Sequence, residues 1–236
     1  MNPIVLVAGG GELGSQAARA ALREGREVTV VDEDEGCEAG ALANRVIRSV
    51  DDHGPGGGVQ LLIGDAFRST LALMRRTEVD LLVPAVPGHL AGRLVMLHLL
   101  DHGCKLEPTP QLLRSMASVI PSRLIHLEDP ENGLLATSYM VSGRCRPGCE
   151  QPPRCPETGE VRERPMHELL REAMTWAVSR HEVLVPETIG GVGCLRGEQV
   201  RALLENAARL RKGETFGVAT SCRCHGIVNL FRRMGK

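Results

Sequence analysis

Two groups of residues have the types and the spacing to do chemistry. The first is the turn Gly9-Gly10-Gly11-Glu12-Leu13-Gly14, which follows the apolar run at residues 4 to 8 without a break. A glycine turn between a strand and a helix presents unpaired backbone N–H groups at the positive end of a helix dipole, and both favour the phosphates of a nucleotide. In such a turn Gly9 allows the tight reversal, Gly11 lets backbone approach a pyrophosphate, and Gly14 lets the helix pack closely. Asp32 closes the next apolar run, 18 residues past Gly14. Its carboxylate can accept hydrogen bonds from ribose hydroxyls and would repel a 2'-phosphate, so NAD is favoured over NADP. With Asp65, at the end of a third apolar run, the expected cofactor contacts are Gly9, Gly11, Glu12, Leu13, Gly14, Asp32 and Asp65.

The second group consists of cysteines. Cys145, Cys149 and Cys155 follow one expected strand, Cys194 follows another, and Cys222 and Cys224 follow a third. Parallel strands would open all these loops on one carboxyl edge, where open α/β sheets place ligands, so thiols distant in sequence would converge. Four thiolates suit zinc or an iron-sulfur cluster. The loose spacing Cys145-x3-Cys149-x5-Cys155, with Pro156 after the last, leans toward a cluster. Six candidates exceed the four ligands of a single site, which leaves two to face substrate, act in redox or be merely buried. Arg223 and His225 beside Cys222 and Cys224 would lower thiol pKa values and open a nucleophilic or redox role. Cys37 and Cys104 have no partner nearby in the sequence. His98 and His102 stand one helical turn apart, and His89 lies where a loop would approach a nicotinamide.

These residues must be positioned by alternating strands and helices. Strands are expected near residues 4–8, 27–31, 60–63 and 79–83, with a short fifth at 104–107. Helices starting at Leu13, at 66–76 and at 88–100 lie between them. Such alternation implies a doubly wound parallel sheet of the Rossmann kind. The polar, turn-forming stretch 128–133 is the expected boundary, which divides the chain into a dinucleotide-binding domain at 1–130 and a smaller, cysteine-rich α/β domain at 131–236. In the second domain, strands are expected at 134–141, 182–185 and 215–220, helices at 166–177 and 200–210, and a last short helix at 227–234.

The glycine turn, the acid after the second strand, and Gly64-Asp65-Ala66 before a leucine-rich helix resemble the nucleotide-binding domains of TrkA-type potassium-transport regulators and of saccharopine-dehydrogenase-like proteins. The resemblance covers about half of the chain, and it implies NAD(H) or a related nucleotide.

Composition narrows the functional classes. Lys and Arg number 28 against 29 Asp and Glu, a balance that supplies no field for nucleic acid. Aromatic residues make up 2%, too few for base-stacking platforms. No apolar run reaches the ~18 residues of a membrane span, and the first is too short for an export signal, so a cytoplasmic protein with free thiols is expected. The reading that follows is an NAD-linked redox protein with a cysteine-ligated metal or iron-sulfur centre near the domain interface, acting on a small molecule or a redox partner protein. A homo-oligomer is admissible. The alternative is a non-catalytic sensor, in which nucleotide or metal state shifts an arrangement that a partner reads.

Overall fold

The computed structural model describes residues 4–140, 145 and 149–235. In chain order the strands and α-helices are β1 (Ile4–Ala8), α1 (Glu12–Arg23), β2 (Glu27–Asp32), β3 (Arg45–Ile47), β4 (Val59–Ile63), α2 (Ala66–Arg76), β5 (Leu81–Pro84), α3 (Leu90–Asp101), β6 (Leu106–Pro108), α4 (Pro110–Ser118), β7 (Ile125–Asp129), β8 (Leu134–Ser138), α5 (Met166–Ala177), β9 (Arg180–Leu184), β10 (Glu187–Ile189), β11 (Val192–Arg196), α6 (Gly197–Ala208), β12 (Thr215–Ser221) and β13 (His225–Arg233). The protein is thus mixed α/β, with two sheets and six α-helices among the described residues. No described helix is long and apolar enough to cross a membrane.

Two compact units form. One comprises Met1–Leu90 and Glu187–Ala202, the other Ala91–Pro186 and Leu203–Lys236. The chain therefore divides after Leu90 and not in the turn at 128–133, which joins the antiparallel pair β7 and β8 as a hairpin. Turn-forming residues mark a chain reversal, and a reversal inside a sheet reads the same as a linker. The second unit is the larger, contrary to expectation.

In the first unit the strand order is β10-β11-β5-β1-β2-β4-β3. Strands β1 to β5 run parallel, while β11 is antiparallel to β5 and β10 antiparallel to β11. Val5, Val7, Val28, Val30, Leu61 and Val83 form the sheet's part of an aliphatic core, against which Ala17, Ala18 and Ala21 of α1 pack. Each fully buried Val or Leu contributes about 1.5–3 kcal/mol, which suffices without aromatic side chains. The buried face of α1 begins at Gly14, while Leu13 before it is 55% exposed.

The second unit holds the order β7-β8-β13-β12-β9, with β6 paired to β13. The expected fifth strand near 104–107 therefore belongs to this sheet, and the last segment is strand β13 and not a helix. Ile227, Leu230, Phe231 and Met234 fit a helical period, yet the strand is central and covered on both faces. Val228 through Phe231 are consequently all buried, and the two-residue alternation is erased. Strand β13 is antiparallel to both β8 and β12, and β12 is parallel to β9. The three expected strands β8, β12 and β9 thus share one direction, with a reversed strand inserted among them. Helices α4 and α5 pack through Leu113, Met116, Leu170 and Met174 onto Leu135, Ala219, Val228 and Leu230.

Candidate functional site

The first candidate site forms where β1 turns into α1. Gly9 has φ of 100°, a left-handed conformation that side chains avoid, and a Cβ there would lie 2.4 Å from the Ala85 carbonyl oxygen. At Gly14 a Cβ would lie 2.0 Å from the Gly9 oxygen, so the first turn of the helix can rest on the loop only without a side chain. Gly11 differs. It is extended, at φ −69° and ψ −162°, and nothing lies within 4 Å of where its Cβ would be. No side chain caps the helix it precedes, which leaves the first-turn N–H groups available to an external acceptor. Glu12 and Leu13 lie exposed on that turn.

Asp32, at the end of β2, faces this turn. Its Oδ2 accepts the Gly10 N–H at 2.6 Å and its Oδ1 the Asp34 N–H at 2.9 Å, which fixes the carboxylate beside the glycines. Cys37 also stands here: a Cβ on Gly10 would lie 2.4 Å from its sulfur. Burial, the nearby Asp32 and the nearby Asp34 push the Cys37 thiol up. Asp65 caps α2 by accepting the Arg68 N–H at 2.7 Å, a structural task that engages one of its oxygens. It lies beside Asp32 along the strand ends, with the Gly64 N–H donating to the Asp32 carbonyl at 2.9 Å.

The second candidate site lies in the second unit. Cys222 to His225 form the tip of the hairpin joining β12 to β13, closed by a hydrogen bond from the Cys222 N–H to the His225 carbonyl at 3.0 Å. This places Cys222 and Cys224 between two strands, not between a strand and a helix. The Cys222 sulfur accepts the backbone N–H groups of Cys224 and His225, each at 3.3 Å, and the His225 Nδ1 lies 3.7 Å from it. The ligand atoms of Cys222, Cys224 and His225 all lie within 4.8 Å of one another, a set that can hold a metal ion. The hydrogen bond from Cys224 and the His225 contacts hold the Cys222 thiol well below its ordinary range. Cys224, which donates that bond and is buried, is pushed up.

Two more sulfurs sit in turns of the same design. Cys149 accepts the Gln151 N–H at 3.3 Å. At Cys155 the polar groups of Thr158 and Glu157 nearby bring the thiol down to about 7. It is 4% exposed and held in a small loop by the bonds Cys155 N–H to Glu160 O and Gly159 N–H to Cys155 O, each 2.8 Å. At Cys149 and Cys222 alike a backbone N–H two residues on points at the sulfur, and thiolate sulfur is the form that binds metal. Gln151 adopts φ of 55°, and its side-chain oxygen accepts the Arg223 N–H at 2.9 Å, which ties this segment to the hairpin tip. Cys145 is exposed, yet its thiol is pushed up by desolvation and by charge on Cys149, Cys222 and Cys155. Cys145, Cys149 and Cys155 lie in the same neighbourhood but outside the tight group of three.

Cys194 is placed elsewhere. It sits within β11, fully buried in the core of the first unit, and burial pushes its thiol up to about 11. Its place in the chain suggested a loop, but residues 190 and 191 form the turn between β10 and β11, so Cys194 is strand. The sequence reading placed His225 beside the thiols as a group that lowers their pKa values, and not as a ligand. His225 follows Cys224 directly, and its place in a Cys-x-Cys-His run was the available signal. The rings of His98, on α3, and His102, just past its end, are tilted by 48° with centroids 4.5 Å apart, and no metal group among the described residues includes them.

Comparison with known proteins agrees with this division. Residues 92–234 match a family model described as "Uncharacterized protein, C-terminal domain", and residues 4–90 match one described as "Uncharacterized protein, N-terminal domain". The chain belongs to this two-domain family. The two models meet where the first compact unit is interrupted, after Leu90. A relative in Archaeoglobus fulgidus, named "Uncharacterized protein", is 26% identical over 235 residues, spanning 97% of this chain and 99% of the relative.

Proposed function

We propose that this chain is an NAD-binding protein of the Rossmann kind that carries a cysteine-ligated metal centre and works in redox chemistry. The observation that carries the nucleotide part is Gly11. Packing within the protein accounts for Gly9 and Gly14, but Gly11 has an ordinary conformation and open space around it. Close approach of a pyrophosphate accounts for a glycine there. The strand order supports the same reading, because β1 lies between β2 and β5 and the chain reverses its direction of winding between them, the switch point at which open sheets bind ligands. Asp32, held beside the turn, supports NAD over NADP.

The metal part rests on Cys222, Cys224 and His225 and on the N–H groups aimed at sulfur. Those repeated turns also favour a second reading, a closed zinc site in a nucleotide-responsive regulator, since structural zinc is held by such sulfur and nitrogen sets. Anaerobic purification with metal analysis, an absorption spectrum and calorimetric titration with NADH and NADPH tests both. Iron with inorganic sulfide supports the redox protein, and stoichiometric zinc supports the regulator. Absence of any stoichiometric metal and of nucleotide binding overturns the proposal.

A further inference from the structure

Among the described residues, one Asp, Glu, Lys or Arg is buried, and it is Arg162 at 3% exposure. It stands just past the Cys155 loop, its backbone N–H donating to the Pro153 carbonyl at 2.8 Å and its guanidinium Nη1 to the Pro152 carbonyl. Its Nε–H is buried without an acceptor, and no described carboxylate pairs with it. An arginine does not shed its proton, so a buried guanidinium destabilises the fold unless negative charge stands near it. What stands near it is sulfur: Arg162 closes the base of the small loop that carries Cys155, and the segment it binds, Pro152 and Pro153, follows Gln151, whose side chain holds the Cys222 turn.

Charge counting then limits the ligand set, given the metal-binding reading above. A divalent ion held by two thiolates, Cys222 and Cys224, and by neutral His225 carries no net charge, and Arg162 would remain uncompensated. Three thiolates leave the centre at −1 and balance the guanidinium, and four leave it at −2. We infer that the centre is anionic, with at least one thiolate from Cys145, Cys149 or Cys155 joining Cys222 and Cys224, and that Arg162 is its buried counter-charge, with Nε–H donating to a metal-bound sulfur. Arg162 is a positioning residue: it does not touch the ion, and its buried charge makes a surplus of thiolate tolerable. The hydrogen bond from Gln151 to the hairpin tip supplies the mechanical counterpart, holding the Cys149 segment against the Cys222 turn.

The test uses the full chain, stripped of metal and refilled with cobalt(II) without oxygen. Sulfur-to-cobalt charge-transfer absorption grows with the number of thiolates bound, so the parent protein is expected to show three or four. Single Cys-to-Ser changes at 145, 149 and 155 identify the contributors, each of which lowers that band by one thiolate's share. Arg162→Met is expected to weaken cobalt binding by about tenfold or more, the usual effect of removing a group that supports a ligand, and Arg162→Lys to restore most of it. A spectrum of two thiolates in the parent overturns the inference and leaves the metal site standing, and so does unchanged affinity in a folded Arg162→Met protein. Failure of cobalt to bind at all overturns both. The thiolate count comes from the parent protein, so it decides the matter even if the methionine variant does not fold.

Discussion

The glycine turn and the cysteine centre reach their geometry by opposite routes. The first is built from one continuous stretch, Ala8 to Gly14, in which steric need at Gly9 and Gly14 fixes the backbone and Gly11 is left open to solvent. The second is assembled from two stretches some 70 residues apart, joined by the hydrogen bond between Gln151 and Arg223. A local motif depends on what its residues cannot do, namely carry a side chain. An assembled one depends on what distant residues do to each other, as Gln151 does in accepting the Arg223 N–H. Mutations therefore ought to separate stability from function cleanly in the first site, and to couple them in the second.

The largest expected effect is at Cys222, whose sulfur lies at the centre of the hairpin tip. Cys222→Ser should abolish stoichiometric metal, read by elemental analysis of folded protein. Cys194→Ser should leave metal unchanged and cost about 1–3 kcal/mol in chemical denaturation, because a hydroxyl then sits unpaired in an aliphatic core. Equal metal loss in both would break the distinction between the two cysteine environments.

Next come the glycines. Gly14→Ala forces a Cβ onto the Gly9 carbonyl and should destabilise the protein by about 2–4 kcal/mol in urea or guanidinium unfolding. Gly11→Ala should stay within about 0.5 kcal/mol of the parent in the same measurement, since nothing opposes the methyl group. Its NAD affinity should nonetheless fall by about tenfold, a hydrogen-bonded approach to phosphate being lost. If Gly11→Ala unfolds the protein, packing and not a ligand explains that glycine. Asp32→Asn should weaken NADH binding by about tenfold and spare NADPH, measured by titration calorimetry, because a charged acceptor for the ribose is removed.

The smallest effect is a pH dependence in the first unit. Burial lowers the pKa of His53, whose ring meets the Thr29 hydroxyl at 2.9 Å. Its neutral form is the one the fold accommodates. The stability it contributes is fully present above the unfolded value of 6.5 and is lost as the pH falls through the lower folded value. Urea midpoints should therefore decline between about pH 7 and pH 5, and His53→Gln should flatten that decline. A midpoint that rises on acidification would contradict the burial argument.

Much of the first unit was legible because its signals are local. Strand, glycine turn, alanine-rich helix and acid succeed one another within residues 4–32, and α2 falls where its leucine pattern and Asp65 cap place it. The second unit was less so. Strand β13 fitted a helical period because both its faces are covered, β7 and α4 were not anticipated, and the division after Leu90 occurs at a helix start and not at a turn.

Taken alone, the sequence determined which residues have the chemistry: glycines where backbone must pass close, an acid at a strand end, thiols in proline- and glycine-rich turns. Tertiary structure decided which of those thiols share a site. It brought the Cys149 segment, through Gln151, against the Cys222–His225 tip and gave Cys194 to an aliphatic core. The reason is that burial and charge balance are properties of neighbours in space, and a pairing such as β8 with β13 joins residues that spacing along the chain does not relate.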